Sequence, residues 1–239
     1  MKINMNAWKQ EALSSRKRLA LPILTSLGFG LTGKTIRDGA TNSRAQADAI
    51  VALARRYEFA ASPMMMDLSV EAEAFGSKIK LSEDEVPVVI GAVLHDCSEV
   101  AALAIPSLSA GRIPLYLDAA RLAAAEVTDR PVFAGCIGPF SLAGRLFGMT
   151  EIMTEMLMDP DGILALLEKC TVFLETYLQA FAATGVNGVI IAEPAAGYAT
   201  RPRGGLVKLA KTNIKETAPC LTRALPIFRV RLPRAGSPP

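Results

Sequence analysis

Apolar residues recur along this chain in two rhythms. From Ser43 to Tyr57, the residues Ile50, Leu53, Ala54 and Tyr57 fall at i, i+3, i+4 and i+7, one face of a helix. A longer helix is predicted over residues 159–184. Asp159 suits its N-cap and Pro160 its first position. Leu167, Cys170, Leu174, Tyr177, Leu178 and Phe181 line one face, and Gly185 is placed to end it. Short apolar runs lie between such segments: ALPILTSL (20–27), FAASPMMM (59–66), PVFAGC (131–136) and GVIIA (188–192). Each reads as a strand, and the unbroken apolar GVIIA fits a strand covered on both faces. Strands separated by helices argue for a parallel sheet, either doubly wound or closed as a (β/α)8 TIM barrel. Residues 68–115 exceed what one crossover needs. They predict an insertion, with a polar loop SKIKLSEDE (77–85) and a short helix from Ser98 to Ala104.

Composition adds a seam. Residues 1–197 carry 17 Lys/Arg against 22 Asp/Glu, whereas residues 198–239 carry nine against the single Glu216 and hold six of the 15 prolines. The predicted division is an α/β body, 1–197, and a basic Pro/Arg-rich tail, 198–239, read as out of frame or disordered. The tail has only Tyr198 and Phe228 as aromatics, so no nucleic-acid partner is expected. With 51% hydrophobic residues the chain can bury a sizeable core. No apolar run reaches the roughly 18 residues of a membrane span, and Pro22, Gly28 and Gly30 interrupt the one stretch resembling a leader. The four cysteines (97, 136, 170, 220) are scattered, which suits reduced thiols and a cytoplasmic location.

Three sets of residues carry candidate chemistry. GFGLTGKT (28–35) matches both G-x-x-x-x-G-K-[ST] and G-x-G-x-x-G. A phosphate loop needs a helix directly after its Lys-Thr, yet IRDGATNS follows, rich in turn formers. A glycine-rich loop over the mouth of a barrel is the better expectation. Asp67 and Glu193 each follow a predicted strand, where barrel enzymes place reactive groups. They are the candidate catalytic pair at a shared polar mouth, although an acid after a strand is often only a helix cap. His95 and Cys97 spell H-x-C, but two ligands do not complete a tetrahedral zinc site. A surface or half-buried pair in a loop is expected there, with no metal bound by this chain.

TGKTIRDGATNSRAQADAIVALARRYEFAASPMMMDLSVEAEAFGSKI (32–79) resembles the N-terminal half of the uroporphyrinogen decarboxylase superfamily. MDLSVEAEAFG (66–76) is its most specific piece. RPVFAGCIGPFSLAGRLFGMTEIM (130–153) and GVNGVIIAEPAAG (185–197) continue it over roughly residues 15–197. The branch most resembled is that of methylcobamide:coenzyme M and related corrinoid-dependent methyltransferases. The resemblance implies a (β/α)8 barrel, here incomplete at about its first half. It also implies methyl transfer from a methylcobamide on a corrinoid partner protein to a small thiol held by zinc.

The alternative within the superfamily is uroporphyrinogen III decarboxylase. Those enzymes meet a carboxylate-rich tetrapyrrole with an arginine-rich loop, where this chain has SLGFGLTGKT, without arginine. They also place a tyrosine where GPFSLAGR has Arg145; Asp67 is the motif residue kept. Gly138, Phe140 and Arg145, from that stretch, are the candidate substrate-binding residues. The family's zinc motif, H-x-C-G with a later cysteine, lies beyond the resembling segment. The chain is therefore expected to be a fragment, inactive or impaired, or a non-catalytic half-barrel. An open barrel edge predicts self-association.

Overall fold

The computed structural model describes residues 3–17, 19–195 and 227–228. A parallel sheet runs through it in the order β1 (Ser62–Pro63), β4 (Val132–Ile137), β5 (Gly188–Ala192) and β6 (Ile227–Phe228). An antiparallel hairpin, β2 (Lys78–Lys80) and β3 (Val88–Ile90), stands apart from it. The architecture is α/β.

Each principal strand is preceded by the helix that packs on it: α4 (Ser43–Arg56) on β1, α6 (Ile113–Glu126) on β4 and α9 (Pro160–Thr184) on β5. These helices also pack side by side, α4 on α6 and α6 on α9. Helix α4 buries Ile50, Leu53 and Ala54, as its periodicity predicts. Helix α9 has the predicted ends: the Asp159 side chain accepts the Gly162 N–H, and Gly185 closes it at φ 95°. Its predicted apolar face, Leu167 to Phe181, is buried.

The sheet has two unequal faces. Val132, Ala134 and Cys136 point into the large core under the helices. Phe133, Ile190 and Ala61 form a smaller cluster on the other side, where Trp8 and Met5 of α1 (Met5–Ser14) pack with Leu21 and Met66. Trp8 sets its ring edge-on to Phe133 and donates its indole N–H to the Ala60 carbonyl at 3.0 Å. Asn187 fixes the register between β4 and β5. Its side-chain oxygen accepts the Val132 N–H at 3.0 Å, and its own N–H reaches the Val132 carbonyl at 2.8 Å.

Two expectations are corrected. Residues 20–27 are no strand: 20–24 are irregular, and Thr25–Thr32 form helix α2, packed on α4. Of the glycines that suggested a loop, Gly28 and Gly30 lie inside this helix, where Gly28 permits close approach to the Ala49 backbone, and Gly33 ends it at φ 65°. The glycine-rich loop over a barrel mouth is therefore absent at this position. The second correction concerns the segment after Lys34-Thr35, expected to be turns. It forms a short helix, α3 (Ile36–Thr41), because Thr35 and Asp38 cap it reciprocally. The predicted insertion does hold a hairpin and a short helical turn, Cys97–Ala101. The tail assignment lies outside the described residues except for β6, which extends the sheet beside β5.

Replacing Asn187 by Ala is expected to lower stability by about 1–3 kcal/mol, because the buried Val132 N–H loses its acceptor. Urea unfolding checks this.

Candidate functional site

Strand β4 ends at Ile137 and turns through Gly138-Pro139 directly into helix α7 (Pro139–Phe147). Such a corner leaves N–H groups without strand or helix partners. Each is met from a different element. Ile137 donates to Glu71 Oε1 at 3.1 Å. Gly138 donates to the Ala192 carbonyl at 2.7 Å. Phe140 and Ser141 donate to the Glu193 carboxylate at 2.9 and 3.0 Å. The Ser141 hydroxyl also binds Glu193 and accepts the Ala195 N–H. Gly138 is required here, since a Cβ would sit 2.2 Å from Glu193 Oε2.

Glu193 thus caps α7, with its negative charge at the positive end of the helix dipole. The Phe140 ring is buried in the core, and only its backbone faces Glu193.

Asp67 lies deeper than a strand-end position suggests. Its side chain is wholly buried and accepts from four donors. The Ser69 N–H and hydroxyl reach Oδ1 at 3.0 and 2.6 Å, while Arg112 Nη1 and the Tyr116 hydroxyl reach Oδ2 at 2.5 and 2.8 Å. Arg112 also binds Glu73 at 2.6 Å and the Ser69 hydroxyl at 2.8 Å. Burial opposes the Arg112 cation, but the two carboxylates outweigh it and raise its pKa. Burial likewise drives the Tyr116 hydroxyl upward, so it stays a donor to Asp67.

A third acid completes the group. Glu71, on α5 (Val70–Ala74), is buried, and its Oε2 has no hydrogen-bond partner among the described residues. Burial raises its pKa to about 7; the Ile137 N–H and Arg112 lower it, and Asp67 adds to the rise.

A cleft of about 330 Å³ opens beside this frame, between α7, the β3 end of the hairpin and the turn after β5. Leu68, Val89, Ile137 and Met149 give it apolar walls, and Arg145 projects from the last turn of α7. Of the sequence candidates, Arg145 lines the cleft, whereas Gly138, Phe140, Asp67 and Glu193 do not. The two acids are one residue away: Leu68 and Pro194 line the wall while Asp67 and Glu193 serve the frame behind it. No shared acidic mouth forms between them.

The phosphate-loop reading fails on geometry. The α3 N-terminus is occupied internally: Ile36 donates to the Glu83 carbonyl, Asp38 to Thr35 Oγ1, and Thr35 to the Asp38 carboxylate. His95 is exposed, with Nδ1 3.6 Å from Glu99. The Cys97 thiol faces Glu155 at 3.9 Å, and burial together with the Asp159 and Glu155 carboxylates pushes its pKa up to about 11. In the absence of a metal that thiol stays protonated at neutral pH.

Arg112, Tyr116 and Glu71 escaped the sequence reading. The spacing held a signal: Glu71 is i+4 from Asp67, and Tyr116 is i+4 from Arg112.

The uroporphyrinogen decarboxylase (URO-D) family model matches residues 24–203. The chain belongs to the URO-D family. Among its curated relatives is the methylcobamide:CoM methyltransferase MtbA of Methanosarcina acetivorans, 30% identical over 142 residues, 59% of this chain and 42% of that protein. Another is the methylated-thiol–coenzyme M methyltransferase of Methanosarcina mazei, 28% identical over 137 residues, 54% of this chain and 35% of that one. The matched part of this URO-D chain thus spans less than half the length of either relative. A solved methyltransferase from Methanosarcina mazei shares the fold at TM-score 0.82 and 21% identity, over 93% of this chain and 68% of its own.

Two measurements probe the buried charges of this URO-D member. Arg112→Ala leaves Asp67 buried without its cation and is expected to destabilise by about 3–5 kcal/mol in urea unfolding. Glu71 gives a pH signature. Its folded pKa of about 7 exceeds the ordinary 4.5, so the folded state holds the proton more tightly within that window. Stability contributed by that proton is present at low pH and falls as pH rises through 7, by about 3 kcal/mol in all. Glu71→Gln is expected to flatten this slope, matching the parent near pH 4 and exceeding its stability at pH 8.

Proposed function

We propose that this chain belongs to the methyltransferase branch of its family and handles a small thiol such as coenzyme M. The methyl donor is a methylcobamide on a corrinoid partner protein. The observation that carries this reading is the cleft: about 330 Å³, mostly apolar, with one arginine on its wall. A small, singly charged ligand suits that space. A tetrapyrrole bearing eight carboxylates needs more room and several cations. The segment where decarboxylases carry arginines is here the arginine-free helix α2. The names of both curated relatives, which specify coenzyme M methyl transfer, support the same choice.

We further read the sheet as the opening strands of a (β/α)8 barrel, each strand flanked by its helix. Three described free thiols, two of them buried, suit a cytoplasmic protein. Zinc is the metal this chemistry implies, and the described residues do not fit it. No group of three or more His, Cys, Asp or Glu among them could hold a metal ion. No step is assigned to zinc here. The described part of the chain supplies a thiol-binding wall and the frame behind it, and turnover in the isolated chain is expected to be impaired.

The test offers the purified chain two substrates. With methylcobalamin and coenzyme M, calorimetry is expected to show coenzyme M binding with little methyl transfer. With uroporphyrinogen III, no decarboxylated product is expected. Decarboxylation would overturn the branch assignment. Stoichiometric zinc with rapid methyl transfer would overturn the impairment.

A further inference from the structure

Arginines among the described residues follow a rule with one exception. Arg37, Arg44, Arg112, Arg121 and Arg130 each pair with a carboxylate, and Arg16, Arg55 and Arg56 stand exposed. Arg145 alone is half-buried yet has no ion pair or hydrogen bond with any described residue. Its position in the last turn of α7 suits a cation, because the helix carbonyls carry partial negative charge there. That accounts for the charge but leaves the guanidinium donors unused. Two acids behind the cleft wall are committed elsewhere: Glu193 caps the opposite end of α7, and Asp67 belongs to Arg112.

The side chains lining the cleft around Arg145 are apolar apart from Ser141, whose hydroxyl is engaged with Glu193 and Ala195. A ligand seated there meets one planar cationic fork and several hydrocarbon walls. The complementary molecule has one acidic head able to accept two parallel N–H bonds, and a short apolar body.

We propose that Arg145 is the anion anchor of the cleft, selecting small sulfonates or carboxylates with a short apolar body over neutral molecules of the same size. This rests on the thiol reading above and deepens it: the acidic head, not the sulfur, is what this half of the site recognises. The sulfur is then held away from the guanidinium, toward the apolar walls.

Calorimetric titration of the full chain with three probes tests this: 2-mercaptoethanesulfonate, ethanesulfonate and 2-mercaptoethanol. Both sulfonates are expected to bind with similar Kd, and the neutral thiol not to saturate. Arg145→Gln is expected to weaken both sulfonates about tenfold or more, since it removes a charge-assisted pair. Arg145→Lys keeps the charge without the fork and is expected to fall between. Thermal melts establish that both variants fold; should Arg145→Gln not fold, the Arg145→Lys comparison decides. Unchanged sulfonate binding in the variants would overturn the anchor while leaving the thiol reading intact. Binding of both thiols without ethanesulfonate would do the same. Failure of all three probes would overturn both.

Discussion

A strand that runs straight into a helix must find acceptors for the N–H groups at the corner, and this requirement organises the site. In β4–α7 the acceptors come from α5, from β5 and from the residue after β5. The corner therefore joins three elements distant in sequence, and none of them can shift alone. It also decides where an anion can bind. Helix N-termini attract anions in general, but Glu193 already occupies this one, so the cation that lines the cleft unpaired among the described residues sits at the opposite end of the helix.

The buried charges obey a related constraint. Asp67, Glu71 and Glu73 lie on one short stretch of chain, and Arg112 reaches two of them. Asp67 has every side-chain oxygen engaged by four donors. Glu73 is partly solvated and shares the cation. Glu71 meets only backbone N–H groups, its own and that of Ile137, and one of its oxygens has no partner among the described residues, so burial favours its protonated form. Three chemically similar acids thus take different roles through position alone.

Much of the frame was legible in the sequence. Helices α4 and α9 follow the 3.6-residue period, and the caps of α9 are where Asp159 and Gly185 announce them. Strands β4 and β5 follow from unbroken apolar runs. Residues 20–27 misled because a short apolar run serves a buried strand or a helix equally, and packing on α4 decided for helix. Asp67 and Glu193 were recognisable as acids after strands, but their orientation depends on Arg112 and on the α7 N-terminus, partners 45 and 53 residues away. Arg145 reads as one more helical arginine until the cleft beside it is seen.

The hairpin β2–β3 contributes Val89 and Gly91 to the cleft but pairs with no strand of the main sheet. Besides packing Leu81 and Val89 on the core, it is held by hydrogen bonds at two places: the Glu83 carbonyl in its loop accepts the Ile36 N–H, and Val93 and Leu94 just beyond it donate to the Leu146 carbonyl of α7. One wall of the cleft is therefore an appendage pinned to the body at its ends, while the opposite wall belongs to the frame. Changes in hairpin length or sequence between those moorings would reshape the cavity without disturbing strand register or the buried charges. The hairpin wall can thus vary in shape while Arg145, on α7 of the frame, keeps its place at the cleft.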